Sequence, residues 1–191
     1  SAISHDLDGR LTVEQPTDVA AADLNIDGVA ALDLPDIATF SVAQMVTPKL
    51  QLLGTATWFG WSNYDSIPVT LANGVTSETL QNYNDTWSFA VGANYLLDDE
   101  WTLRAGYQYD ESPTEDGFRS STTPDGDRNW FALGASYEWS ENIKLDLSGT
   151  YVDVSEETIN LTRTSTGASS QINATTGGDV GIIALGMTYH F

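Results

Sequence analysis

The chain has 191 residues, with 27 Asp and Glu against 7 Lys and Arg, a formal net charge of −20 and no cysteine. Phosphate binding needs clustered basic residues, so this balance argues against a nucleic-acid partner. The missing Cys excludes disulfides, thiol catalysis and Cys-ligated metal sites.

The length is enough for one sizeable domain. Mean hydropathy is −0.21, and no apolar run approaches the roughly 18 residues of a membrane-spanning helix. A β-barrel escapes both tests, because only alternate residues of its strands face lipid. No signal peptide is visible at Ser1. An exported barrel starting here is expected to be a mature chain or a fragment.

Taken in order, residues from about Ile3 to Val13 alternate, with Leu7, Leu11 and Val13 against Asp6, Asp8, Arg10 and Thr12. They predict a first strand. Glu14 to Pro35 predicts a long connection, with Thr17-Asp18 capping one short helix that carries Val19, Ala22, Leu24 and Ile26. It reads equally as a solvated acidic loop or as an apolar patch at a barrel mouth. A second strand is expected from Ile37 to Val46, then a tight turn at 46–49, then a third strand from Leu50 to about Trp61. Phe40, Val42, Leu50, Leu52, Ala56 and Trp58 fall on their apolar faces. Ser62 to Asp85 predicts a long loop.

The clearest signal is Trp87 to Tyr109. Trp87, Phe89, Val91, Ala93, Tyr95 and Leu97 alternate with small and polar residues, and after an acidic turn Trp101, Leu103, Ala105, Tyr107 and Tyr109 do the same. This predicts a hairpin of two strands of about ten residues, the length that crosses a tilted bilayer path. Glu111 to Arg128 predicts a second long loop. Strand six is expected over Asn129 to Trp139, with Phe131, Leu133, Ala135, Tyr137 and Trp139 outward. Strand seven starts at Ile143, with Leu145, Leu147 and Tyr151 outward. Asp153 to Asp179 predicts a third loop, and strand eight ends the chain with Ile183, Leu185, Met187, Tyr189 and Phe191 outward.

The connections alternate long and short, as in outer-membrane barrels with short periplasmic turns and long external loops. Charge placement agrees. Arg10, Arg104 and Lys144 all fall inward in this register, as do Asp6, Asp8, Glu138 and Asp146. Six tyrosines fall outward. The fold class is therefore all-β, an antiparallel transmembrane β-barrel with about eight strands present. Trp58, Trp87, Tyr95, Trp101, Tyr107, Tyr109, Tyr137, Trp139 and Tyr151 are the expected membrane-interface aromatics.

Few residues carry chemistry. His5 and His190 read as ordinary inward polar residues. Asp125-Gly126-Asp127 resembles part of a calcium loop, but the following ligand positions are missing. Acidic loops are expected to be solvated, or bridged to lipopolysaccharide by divalent cations. Arg104 is read chiefly as half of an ion pair with Glu138 or Asp146, with a carboxylate ligand as the second reading. Trp130 is the strand tryptophan that falls inward, next to Arg128. Its ring suits a hydrophobic ligand, and plug packing is the plainer reading. No catalytic set, metal site or cofactor is expected.

WTLRAGYQYDESP (101–113) followed by PDGDRNWFALGASY (124–137) resembles the C-terminal half of the FadL family of outer-membrane transporters of long-chain fatty acids and aromatic hydrocarbons. VTPKLQLLGTATWFGWSNYDSI (46–67) and the terminal MTYHF fit the same family. The resemblance covers nearly the whole chain. It implies a 14-stranded barrel of which this single β-barrel domain, 1–191, supplies about the last eight strands, lacking the N-terminal hatch and the lateral exit. It also implies passive transport without a cofactor, by a monomer. Ligand would first meet an apolar groove to which Val19, Leu24, Ile26, Val29 and Leu32 contribute. Arg104, Trp130 and Arg128 are further candidate ligand contacts. Met187, Tyr189 and Phe191 are the expected signal for the barrel-assembly machinery.

One departure concerns specificity. The family's fatty acid transporters place a lysine in the loop before the fourth of these strands, whereas Ser62–Asp85 holds no Lys or Arg and the matching position is Thr79. The competing class is a self-contained eight-stranded barrel acting as an adhesin, structural protein or lipid-active enzyme. A soluble acidic β protein would require the aromatic belts to be coincidence.

Overall fold

The computed structural model describes residues 4–13, 24–64, 66–119, 125–165 and 168–191, with backbone alone for 4–13, 24–25, 30–33, 67, 77–79, 163–165 and 168–170. Eleven strands are present: β1 (Ser4–Val13), β2 (Leu24–Asp33), β3 (Asp36–Thr47), β4 (Leu50–Gly60), β5 (Ser66–Leu71), β6 (Thr76–Leu80), β7 (Thr86–Leu96), β8 (Trp101–Asp110), β9 (Arg128–Ser140), β10 (Ile143–Ser165) and β11 (Ala168–Tyr189). One turn of 3-10 helix, Trp61–Asn63, follows β4. Seven strands form one antiparallel wall in the order β11-β10-β9-β8-β7-β4-β3. The other four form a smaller sheet, β1-β2-β5-β6.

The register of the wall is set by matched alternation. Leu52, Ala93, Ala105, Leu133, Gly149 and Ile183 lie in one cross-strand row. The neighbouring row on the other face is Gly92, Gly106, Ala132, Thr150 and Ile182. A slip of one residue would exchange the two faces, so every strand must hold its place. The short turns help to fix it. Asp98 accepts hydrogen bonds from the amides of Glu100 (3.0 Å) and Trp101 (2.7 Å). Thr47 does the same for Lys49 (3.2 Å) and Leu50 (3.0 Å).

Several expectations are corrected. The first strand does not join the wall: β1 pairs with β2 in the smaller sheet, so seven wall strands are present rather than about eight. Nor do β3 and β11 pair with each other, so the described strands do not close as a small eight-stranded barrel. Leu24 and Ile26 belong to β2 and not to a helix, because that stretch pairs with β1, while Gly28–Ala30 of the same strand pair with β5; Val19 lies outside the described residues. The long loop 62–85 contains the β5–β6 hairpin, which pairs with β2.

The largest correction concerns β10 and β11. Residues 153–165 and 168–179 are not loop, because β10 and β11 continue through them as paired strands. Pairing jumps from Val154–Gly178 to Glu157–Thr176, so Ser155 and Glu156 face Gly177 alone. This bulge shifts the inward parity of β10 from even to odd and breaks the alternation that sequence reading relies on. Two glycines make room for it. A Cβ on Gly177 would come within 3.0 Å of Glu156 Cγ and 3.2 Å of its Cα. A Cβ on Gly126 would lie 2.8 Å from the Ser155 carbonyl oxygen. Close approach at Gly126 accompanies a hydrogen bond from Ser155 N to Asp127 O at 2.8 Å. Gly126→Ala is expected to destabilise this junction by about 1–3 kcal/mol, the usual cost of overpacking. Amide exchange read at Ser155 should accelerate, while exchange in β7 and β8 stays unchanged.

Candidate functional site: the inner face and mouth of the wall

Among the described residues only two apolar side chains are buried, Val152 and Ile159. Most of the large apolar residues of the wall point away from the inner face. Leu133 is 71% and Leu185 83% exposed, whereas the inward Ser136 is 1% exposed. An exposed apolar surface of this extent requires a nonaqueous partner, and a barrel wall meets that need with lipid outside and polar residues inside.

The outward aromatics form two bands. Trp101 stacks on Tyr137 at 4.6 Å beside the short turns, with Tyr95 and Trp139 exposed at the same end. Toward the long connections, Trp87 stacks on Phe89 (5.8 Å) and Tyr107, Phe131 and Tyr151 make a row with centroids 5.2 and 6.5 Å apart. Trp58 is the partner of Trp87 in the register. From Trp101 to Tyr109 along β8 is about 27 Å of strand, which after barrel tilt approaches the height of a lipid-facing band. Tyr189 and Phe191 touch edge to face at 4.9 Å, with Met187 outward and open below them.

The inner face divides into two zones. In the half near the short turns it is polar and internally paired. Arg104 Nη1 donates to Ser136 Oγ, which donates to Asp146 Oδ1, with Arg104 and Asp146 3.9 Å apart. These three come from β8, β9 and β10, so the ion pair ties adjacent strands. Lys144 pairs with Glu138 at 2.9 Å, and Asn94 donates to Gln51 at 2.9 Å. Nearer the mouth the polarity falls away. Gly106, Ala132 and Ile182 share one row and Gln108, Trp130, Val152 and Val180 the next. The indole Nε1 of Trp130 is buried without a hydrogen-bond partner.

The mouth is laced by the connection between β8 and β9. Glu115 accepts from Asn82 (3.2 Å) and Asn84 (2.7 Å) on the approach to β7. Asn82 holds a positive φ of 48°, a conformation Asn tolerates better than most residues. On the other side Arg119, 3% exposed, donates to the carbonyls of Asp125 (2.8 Å), Thr114 (3.2 Å) and Thr158 (3.3 Å) and pairs with Asp116 (2.6 Å) and Glu157 (3.5 Å). The connection thus reaches from β7 to the extended part of β10. Arg128 pairs with Asp110 (3.6 Å) and with Asp125. After β4 and before β7, Trp61, Tyr64 and Tyr83 form an aromatic cluster, Tyr64 and Tyr83 stacking at 5.5 Å. Burial, with the neighbouring Tyr83, pushes the Tyr64 hydroxyl above its ordinary pKa. Hydrogen bonds from Ser62 hold Asp85 below the usual carboxylate range.

The structure therefore brings Trp130 and Arg128 to the mouth and Arg104 to mid-wall. Of the apolar set expected from residues 19–32, side chains are described for Ile26 and Val29, which lie on opposite faces of β2. Ile26 is half-buried in β2, and Val29, of opposite parity in the same strand, is 44% exposed on the other face. Leu24 and Leu32 lie in β2, and Thr79 lies in β6 opposite Ile67. Sequence reading missed Arg119 and Glu115, which sit in a loop with no periodicity; a lone Arg among acidic residues was the only available sign. Leu133→Arg on the outer face is expected to destabilise the folded wall by roughly 2–4 kcal/mol, whereas Ala132→Arg, one residue away on the inner face, costs far less. Equilibrium urea unfolding in lipid vesicles measures both.

The whole chain, residues 1–191, matches the family described as outer membrane protein transport protein (OMPP1/FadL/TodX). The long-chain fatty acid transport protein of Escherichia coli K12 is 28% identical over 138 residues, 72% of this chain and 31% of that protein. The chain thus spans about a third of the length of the curated relatives it matches. The crystal structure of a Pseudomonas aeruginosa FadL homologue superposes with a TM-score of 0.78 at 29% identity, over 86% of this chain and 38% of that one. The Pseudomonas putida toluene transporter TodX gives 0.59 at 14% identity over 99% of this chain and 44% of that one, a likeness of fold alone. With its outward apolar face, paired aromatic bands and inward charges, this chain belongs to the OMPP1/FadL/TodX family and forms part of a β-barrel of the Gram-negative outer membrane.

Proposed function

We propose that the protein containing this chain is a passive conduit for hydrophobic compounds across the outer membrane, of the fatty acid or hydrocarbon class. One observation carries this reading. The inner face near the mouth carries Trp130, Val152, Val180, Ile182 and Ala132 beside Thr150 and Gln108 in the same rows, where a barrel carrying hydrophilic solutes would present mostly polar groups to a water-filled lumen. Val180 and Ile182 share the inward face of β11 with Ala184. Two relatives named for fatty acid and toluene transport support the class. The wall's two edges, β3 and β11, need strand partners in a bilayer, and we infer that further strands of the same barrel supply them. The terminal Met187, Tyr189 and Phe191 would then be read by the barrel-assembly machinery.

The test is uptake by cells producing the full-length protein in a strain without its own transporter. Labelled oleate and labelled toluene should enter several-fold faster than in the vector control, and an uncoupler should not reduce the rate of entry across the outer membrane. Uptake of small sugars in place of either compound would contradict the reading.

A further inference from the structure

β10 and β11 run on past the end of β9, which pairs with β10 only as far as Val154. The projecting strands have an outward face as well as an inward one. After the bulge the outward pairs are Thr158 with Thr175, Asn160 with Asn173 and Thr162 with Gln171, and the register continues with Thr164 opposite Ser169. The side chains of the first three pairs are all exposed. None of these residues is charged, in a chain whose formal net charge is −20. The acids stop just below: Asp153 faces Asp179 across the strands, and Glu156 stands in the bulge.

Height and chemistry decide what meets this face. From Gly181, the partner of Tyr151 in the outer aromatic band, to Thr175 is about 20 Å along β11, or roughly 14 Å of height at a barrel tilt of about 45°. The polar layer of an ordinary bilayer adds only about 5–8 Å on each side of its hydrocarbon. Phospholipid headgroups therefore end below the ladder. A headgroup extended by sugars, as in the outer leaflet of a Gram-negative outer membrane, stands beside it. Side-chain amides and hydroxyls both donate and accept hydrogen bonds, as sugar hydroxyls do, whereas phosphate recognition calls for cationic partners. The lipid-facing surface below has room for the other end of such a molecule. Next to the outer aromatic band lies a groove of about 1010 Å³, where Gly149 and Gly181 leave space among Phe131, Leu133, Tyr151 and Ile183. A Cβ on Gly181 would meet nothing within 4 Å, so packing within the described wall does not call for this gap.

We propose that the outward face of β10 and β11 is a docking surface for lipopolysaccharide, with neutral core sugars hydrogen-bonded to the ladder around Asn160 and Asn173 and an acyl chain seated in the groove at Gly149 and Gly181. Both contacts lie on the same pair of strands, one above the other. The ladder anchors the projecting strands in the saccharide layer, a role independent of what the barrel transports.

The test uses the full-length protein in detergent, with purified lipopolysaccharide as the probe, its core either complete or cut back to the innermost acidic sugars on the same lipid A. EDTA is present, so that the acids at 153, 156 and 179 cannot bridge to phosphate through a divalent cation. Native mass spectrometry reads the binding. The complete form should bind several-fold more tightly than the truncated one. Asn160→Val with Asn173→Val keeps good strand formers and removes the amides. It should weaken the complete form roughly ten-fold, the cost of a few neutral hydrogen bonds, and leave the truncated form unchanged. Gly181→Phe should fill the groove and weaken both forms alike. Free core oligosaccharide, lacking the lipid, should bind far more weakly than the complete form. Equal binding of the two forms by the parent, undiminished binding by the Val pair, or undiminished binding by Gly181→Phe would overturn the proposal. So would free oligosaccharide binding as tightly as the lipid-linked form, which would assign the ladder to a soluble glycan. Both variants should melt at the parent's temperature. A Val pair that melts lower would show the ladder to be covered by other parts of the protein, and would also overturn the proposal.

Discussion

Hydrocarbon offers a peptide group no hydrogen bond, and that constraint governs this structure. Each N–H and C=O at membrane depth must be paired within the protein, which only helices and laterally joined strands achieve. Among the described residues no helix is long and apolar enough to cross a membrane, and the burden falls on seven antiparallel strands hydrogen-bonded in series. Once the strands are joined this way, their side chains can only point to two faces. One meets lipid and the other the lumen. The near absence of buried apolar residues follows, since Leu133, Ile183 and Leu185 are covered by solvent hydrocarbon and not by other side chains.

The same division explains what could be read from the sequence. From Trp87 to Tyr109 and from Asn129 to Tyr151 the alternation is unbroken, and the expected outward residues share cross-strand rows in the structure. Alternation is a local signal, legible wherever two unlike solvents flank a strand. It fails outside the membrane. β1 and β2 alternate or mix apolar residues as wall strands do, yet pair with each other, because pairing partners are a property of the whole chain. The continuation of β10 and β11 was hidden by the bulge at Ser155 and Glu156, which reverses the parity within a Ser- and Thr-rich stretch that reads as loop.

The candidate site was legible to the extent that it lies on regular strands. Trp130 and Arg104 could be placed inward by counting twos. The partners of Arg104 could be narrowed to two acids, and Asp146 rather than Glu138 proves to be the one it faces, through Ser136. The bracing of the mouth could not be foreseen. Arg119 is held by three backbone carbonyls and two acids contributed by residues 114 to 158. Such a set has no spacing rule, because loop carbonyls become ligands only after the fold has assembled them. The apolar strip of Val180 and Ile182 was visible as residues but not as a feature, since its meaning depends on the neighbouring Trp130 and Val152.

The central claim is that odd positions of β9 face lipid and even positions face the lumen. These 191 residues hold no cysteine, so with any cysteine elsewhere in the full-length protein replaced by serine, single cysteines can be placed at 131, 132, 133, 134 and 135 in intact outer membranes. Reaction with a small water-soluble thiol reagent should label 132 and 134 and leave 131, 133 and 135 unreacted, and lipid-dissolved quenchers should reach the opposite set. Uniform labelling along the strand, or labelling of the odd positions, would contradict the account.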